Sequence, residues 1–382
     1  MESFMSSSPA PAGSRLQGRV VLMNPGPVNV SEEVRAALSL PDLCHREPEA
    51  LALMQRIRRK TVLLCGGDES HAAVMLAGSG TTALEATLSS IVPRDGRLLV
   101  IDNGHYGERL SRIVSVHGIS CARLEFGWGR PVDVTAVDRA LAEDPSITHV
   151  GLVHHETSTG MLNQLREIGA VVARHGRSLA VDAISSLGAE ELDLAADHID
   201  WCVGTANKCL EGFPGVSFVV APRERLAGLA DVPARTFSLD LHRHFVTQEH
   251  DGAPAFTLPL QVMAAFDTAL DLALREGTSR RHARYTALAE RIRAGLTERG
   301  LALRLPAAHR ASSLTGVALP DGLTYEELHD GLKAEGFVVY STQENGAREF
   351  RIANMGQLTE EDITGFLAAF DRVVDKHPGE GR

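Results

Sequence analysis

The sequence predicts an α/β fold: a large unit built on a mostly parallel central sheet, with a smaller C-terminal α+β unit packed on it. Three observations predict it. Short, nearly continuous apolar runs alternate with helical patterns through the first two thirds of the chain. Those runs end in polar, chemistry-bearing residues, as the strands of an open α/β sheet do at their carboxyl ends. In the last third the pattern changes to long helices and then to strands returning between helices.

Taken in order, MESFMSSSPAPAGSRLQG is rich in Ser, Pro, Ala and Gly and lacks the apolar core of a signal peptide, so residues 1–18 read as a flexible tail. AGSGTTALEA (77–86) leads into a helix over 81–92. RLLVIDNG (97–104), ITHVGLVHHET (147–157), SLAVDAISS (178–186), IDWCVGTANK (199–208) and GVSFVVAP (215–222) read as strands with their following turns, apolar as strands covered on both faces are. NQLREIGAVVARHG (163–176) is a helix closed by a basic residue and a glycine. A helical region runs from about 260 to 299 with a break at Gly277. It is followed by LALRL (301–305), SLTGVAL (313–319), the helix TYEELHDGLKAEG (324–336), FVVYS (337–341), EFRIAN (349–354) and a final helix after Thr359. The expected division is a large unit over 19–265, a small unit over 266–376 and a loose tail over 377–382.

Composition narrows the function classes. With 44% hydrophobic and 23% charged residues, the 382-residue chain is an ordinary globular one. A formal charge of −11 argues against a nucleic acid or an anionic membrane as partner, and no apolar run approaches the length of a membrane span. Five cysteines without a CxxC make neither a disulfide framework nor a zinc site, which suits a reduced, cytoplasmic protein. His154-His155-Glu156 and LHRH (241–244) lack further ligands at recognisable spacing, so no metal is expected. RRHARY (280–285) reads as a solvated helix face.

The strand ends gather reactive groups. Lys208 follows one buried run, where desolvation and nearby cations would favour the neutral amine that Schiff-base chemistry needs. Asp182 ends another, 26 residues upstream. Asp and Lys at neighbouring strand ends are the pair that pyridoxal phosphate requires, the lysine carrying the aldehyde and the aspartate keeping the ring nitrogen positive. Gly78-Ser79-Gly80-Thr81, opening a helix, offers an anion cradle for the phosphate. Tyr106, in NGHYGE, is placed to stack on a ring.

Together with NPGPVNVS (24–31), NGHYGERL (103–110), HHETSTGML (154–162), VDAISSLG (181–188) and ANKCLEGFPG (206–215), these motifs resemble the class V aminotransferases of fold type I. DLCHREPEA (42–50) and FRIANMG (350–356) are similar to the members of that family that take 2-aminoethylphosphonate with pyruvate. The resemblance spans roughly residues 20–374. It implies pyridoxal 5′-phosphate carried by Lys208, its ring nitrogen held by Asp182, and its ring between Tyr106 and Ile184. It further implies a phosphate held by Ser79, Gly80 and Thr81 with Asn207 nearby, and a phenolic oxygen met by Thr157. Thr257, in FTLP, would reach the cofactor phosphate of a second subunit, which implies a homodimer. Arg351 would bind the substrate anion, with His45 or Arg46 as a second contact. Its structural rival is an ion pair with Glu349, two positions away. TLPLQ (257–261), and basic His45 and Arg46 where other members are acidic, depart from the family pattern. The alternatives are an alanine–glyoxylate or serine–pyruvate aminotransferase, or a non-catalytic protein that keeps the fold to bind a ligand.

Overall fold

The computed structural model describes residues 19–376, so both expected tails lie outside the described residues. Seven strands form the central sheet: β1 (His71–Gly78), β2 (Arg97–Asp102), β3 (Cys121–Glu125), β4 (Ile147–Val153), β5 (Ser178–Asp182), β6 (Trp201–Thr205) and β7 (Gly215–Pro222). Their spatial order is β1-β7-β6-β5-β4-β2-β3. All neighbouring pairs are parallel except those of β7, which runs antiparallel to both β1 and β6. The expected mostly parallel sheet is observed. Strand β1 was not among the expected strands, because HAAVMLAG runs directly into the glycines read as a cradle.

Alternate residues of these strands enter different cores, as the period of two dictates. Leu99, Ile101, Val150, Leu152, Leu179 and Val181 face one cluster, which the helices Pro48–Leu64, Leu165–Arg174 and Leu260–Glu276 cover. Leu98, Val100, Ala180, Trp201 and Val203 face the other, under the helices Gly80–Ile91 and His105–Val116. With apolar side chains on both faces, these strands have no solvated side to alternate toward, and their runs read as continuous.

The small unit is an antiparallel sheet of β8 (Leu314–Ala318), β10 (Glu349–Ala353) and β9 (Tyr340–Ser341), in that spatial order. Leu296, Leu328, Phe350, Ile352, Phe366 and Phe370 fill its core. Its helices Tyr325–Ala334 and Glu360–Asp375 both start at capping boxes, Thr324 with Glu327 and Thr359 with Asp362.

Three details differ from expectation. FVVYS is not one strand: Phe337–Val338 pairs with Val21–Leu22, while Tyr340–Ser341 pairs with β10. Val21 and Met23 therefore belong to the small core. LALRL supplies only an isolated bridge, Leu303 to Val317, before Pro306. The boundary expected after residue 265 falls inside the helix Leu260–Glu276, whose Met263, Phe266, Ala269, Leu270 and Ala273 pack into the large core. The expected break at Gly277 does separate two helices, at a φ of 80°. No described helix is long and apolar enough to cross a membrane.

Candidate active site

Strands β2, β4, β5 and β6 are adjacent and parallel, so their carboxyl ends open on one edge of the sheet. A pocket of about 150 Å³ lies there, lined by Ser79, Gly80, Thr81, Tyr106, Asp182, Ile184, Asn207 and Lys208 among others. Eight of the residues singled out from sequence thus meet at one place. Asp182 is the last residue of β5 and stands beside Val203 of β6. Lys208 lies three residues beyond the end of β6. The segment Asn24–Pro27 crosses the lysine, whose Nζ donates to the Pro25 carbonyl. A Cβ at Gly26 would come within 2.7 Å of Lys208 Cδ, so the crossing requires glycine there.

The cradle is the N-terminus of the helix Gly80–Ile91, with Ser79 as N-cap making no side-chain cap bond. Its first N–H groups are directed at the pocket edge, where an anion would sit. A Cβ at Gly80 would lie 2.5 Å from Ile184 Cδ1, so the absent side chain lets Ile184 reach the cradle. Tyr106 faces the same space from the helix His105–Val116, and Arg109 packs its guanidinium 4.5 Å from the Tyr106 ring centroid. An aromatic ring bearing a phosphate fits this set: an anion cradle, two ring faces, a carboxylate and an amine.

The electrostatics support that fit. Burial pushes the Asp182 carboxyl up to about 6, against the hydrogen bond from Ile184 N–H and the charges of Arg109 and Lys208. A buried carboxylate so placed gains from a cationic partner. Burial also lowers the proton affinity of Lys208, and Arg351 adds to this against Tyr106, Cys209 and Asp182.

Arg351 is 4% exposed on β10. Its Nε donates to Ser341 O and its Nη1 to Thr157 O, both at 2.8 Å, and the Tyr106 hydroxyl lies within hydrogen-bonding reach. The rival pairing with Glu349 does not form, because Arg304 takes that carboxylate. Among the described residues no carboxylate makes an ion pair with Arg351. It is a buried cation held by neutral acceptors; it does not itself line the pocket, which it meets through Tyr106.

Other expected residues lie elsewhere. Thr157 is buried and meets Arg351 through its carbonyl. Thr257 is exposed and does not line the pocket. His45 and Arg46 also lie outside the lining; Arg46 Nε contacts His45 Nε2 at 3.4 Å. A larger cavity, of about 610 Å³, lies beside the helix Pro48–Leu64 and contains none of the strand-end groups. Its Arg58 and Arg223 both pair with Glu249.

Sequence reasoning missed several contributors. Arg109 follows Tyr106 by three residues, so helical spacing alone puts the two on one face. Its Nη1 reaches Thr81 Oγ1 at 3.3 Å. Glu156 is fully buried and, instead of binding metal, accepts from Tyr106 N–H at 3.0 Å and Gly107 N–H at 3.2 Å. It thereby caps the helix that carries Tyr106, and burial pushes it up to about 7. His155 lines the pocket with Nδ1 toward Ser185 O at 3.3 Å; burial lowers it to about 3, so it is neutral. No cluster of three His, Cys, Asp or Glu residues suited to a metal occurs among the described residues.

Comparison with known proteins gives a consistent result. The class V aminotransferase family model matches residues 31–347. A protein named 2-aminoethylphosphonate–pyruvate transaminase from Syntrophobacter fumaroxidans is 39% identical over 91% of this chain and 95% of its own length. One of the same name from Klebsiella pneumoniae is 35% identical over 93% and 97%. Among solved structures, pyridoxamine–pyruvate aminotransferase from Mesorhizobium loti superposes with a TM-score of 0.87 at 27% identity, covering 94% of this chain and 93% of that one. Alanine–glyoxylate aminotransferase from Nostoc gives 0.88 at 25% identity, covering 96% and 98%. The expected fold type I architecture is the one these aminotransferases share.

Proposed function

We propose, because this chain belongs to the class V aminotransferases, that it transfers the amino group of 2-aminoethylphosphonate to pyruvate, giving phosphonoacetaldehyde and L-alanine, with pyridoxal 5′-phosphate as cofactor. The observation that carries this reading is the meeting of Lys208 and Asp182 in one pocket, with Arg351, a buried cation lacking a carboxylate partner among the described residues, at its side.

When bound, pyridoxal phosphate supplies the aldehyde that takes the amine and a ring that accepts electrons from the substrate carbon. The protein's own groups do the rest. Ser79, Gly80 and Thr81 would hold the phosphate at the helix N-terminus, helped by Asn207. Tyr106 and Ile184, which line the pocket, would flank the ring and exclude water. Asp182 would hold a proton at the ring nitrogen, and a cation there would favour the carboxylate form that burial opposes. Lys208 would hold the cofactor, and its neutral Nζ is placed to take a proton from the substrate carbon and to give it back. Arg351 holds the phosphonate of the donor in one half-reaction and the carboxylate of pyruvate in the other, since its planar fork fits both.

A panel of amine donors with pyruvate tests the assignment. 2-Aminoethylphosphonate is expected to give alanine and aldehyde in equal amounts, with a higher kcat/KM than alanine (with glyoxylate as acceptor) or serine. A preference for serine or alanine overturns it.

Two further outcomes follow from the roles of Arg351 and Thr257. Arg351→Lys keeps the charge and loses the fork. A lost charge-assisted bond is worth about 1.5–3 kcal/mol, so kcat/KM for both substrates should fall about ten- to a hundredfold, chiefly through KM. Unchanged kinetics removes Arg351 from the site. The exposure of Thr257 suits a residue that completes the cofactor site of a second copy in a homodimer. Thr257→Ala is expected to weaken cofactor retention more than thermal stability, and the wild type to sediment as a dimer; a fully active monomer contradicts this.

A further inference from the structure

The segment 280–285 is only in part the solvated face its basic composition suggests: Arg280 and Ala283 are exposed. Arg281 is 1% exposed and Tyr285 is fully buried. Both turn toward Glu211, three residues beyond Lys208. Glu211 Oε1 accepts from Tyr285 OH at 2.8 Å and Arg284 Nη2 at 2.9 Å, with Arg281 Nη2 at 3.1 Å. Its Oε2 accepts from Gln357 Nε2. Glu276 pairs with both arginines, so the network, buried at Arg281 and Glu211 and half-buried at Arg284 and Glu276, holds two cations and two anions. That neutrality, together with the Cys209 carbonyl accepting from Arg281 Nη2 at 2.9 Å, is why Arg281 can leave water.

Two features make this more than a buried ion pair. Glu211 is a non-glycine residue at a φ of 60°, a left-handed conformation that side-chain-bearing residues hold only where their surroundings impose it. Its contacts also connect the two ends of the proposed site. Glu211 N–H donates to Lys208 O at 2.9 Å. Tyr285 OH, donating to Glu211, accepts from Gly356 N–H at 3.1 Å, just past the end of β10, and Asn354 Nδ2 donates to Tyr285 O at 2.9 Å. The turn that carries the lysine and the strand that carries Arg351 are thus joined through one carboxylate and one phenol.

We infer that Glu211, with Tyr285 and Gln357, is a positioning site that sets the span between the Lys208 amine and the Arg351 guanidinium, and so selects the chain length of the aminoalkylphosphonate admitted. The inference rests on the roles given to Lys208 and Arg351 above. A donor whose reacting carbon must meet the Lys208 amine while Arg351 holds its phosphonate can be read for length only if those two groups keep a fixed separation, and they stand on different structural units. None of the three residues touches the substrate; they act through the backbone of the lysine turn and of β10.

The test uses the cofactor-loaded wild type, Glu211→Gln and Tyr285→Phe, with aminomethyl-, 2-aminoethyl- and 3-aminopropylphosphonate as donors to pyruvate. One methylene is worth about 10- to 200-fold in discrimination. The wild type is expected to show that preference for the two-carbon donor, and both variants to lose most of it, to under about tenfold. If Glu211→Gln does not fold, Tyr285→Phe, which keeps the volume and every charge, decides alone. Variants that slow all three donors by one common factor overturn the inference, as does a wild type that turns over 2-aminoethylphosphonate without length preference. A wild type inactive on all three overturns the donor assignment itself, and the length gauge with it.

Discussion

Lys208→Ala is expected to fold normally and to lose turnover of 2-aminoethylphosphonate with pyruvate entirely. The proton transfer assigned to its Nζ is by itself worth about 10²–10⁴-fold, and the covalent attachment point is lost with it. Stability should not suffer. Burial already disfavours the charged amine, so removing it relieves a desolvation cost rather than breaking an ion pair. The phosphate cradle and Asp182 remain, and the variant should still retain cofactor, reversibly. Rates and melting temperatures measured side by side check this: loss of turnover at unchanged melting temperature is the expected result, and near-normal transamination removes Lys208 from the chemistry.

Asp182→Asn should be nearly as severe. An amide cannot hold a proton on the ring nitrogen, and breaking a buried charge pair costs about 3–5 kcal/mol; kcat should therefore fall by about two to four orders of magnitude. The same substitution has a stability signature of opposite sign in cofactor-free protein. Burial raises this carboxyl to about 6, above its ordinary value of 3.8. The folded state therefore resists ionisation, and stability present below the ordinary carboxylate range is lost as pH rises through about 6. Cofactor-free Asp182→Asn should melt above cofactor-free wild type at pH 8, with the gap closing by pH 4. A gap that is absent at pH 8, or that widens toward pH 4, contradicts the buried placement of this carboxylate.

What was legible in the sequence was local. Strands β2, β4, β5, β6 and β7 read directly because both of their faces are covered, which leaves an unbroken apolar run and a polar residue where the run ends. Lys208 and Asp182 stood out by that logic and Ser79–Thr81 by small residues opening a helix, and the fold then brings all of them to one pocket. Partnerships across long sequence distance were not legible. Arg281 and Arg284 looked solvated because Glu211, which neutralises them, lies some seventy positions upstream. Glu156 was set aside as a metal ligand and given no other role, because its work on the helix of Tyr106 depends on the approach of residues fifty positions apart. Arg351 was expected, from the resemblance, to bind the substrate anion, but its freedom from Glu349 rests on Arg304, which no spacing rule connects to it. The strand pairing of Val21–Leu22 with Phe337–Val338 was missed for the same reason: it joins opposite ends of the chain.

Lys208 also has few competitors. The chain contains four lysines. Lys60 is paired with Asp267 and Asp271, and Lys333 and Lys376 are exposed. Lys208 alone lines the strand-end pocket. Borohydride reduction of the cofactor-loaded protein, followed by peptide mass mapping, tests the assignment most directly. The account predicts a single stable pyridoxyl modification, on the peptide containing Lys208, and none in Lys208→Ala treated identically. Modification at Lys60, Lys333 or Lys376 instead, or an unmodified Lys208 peptide in protein that retains its cofactor, would contradict it.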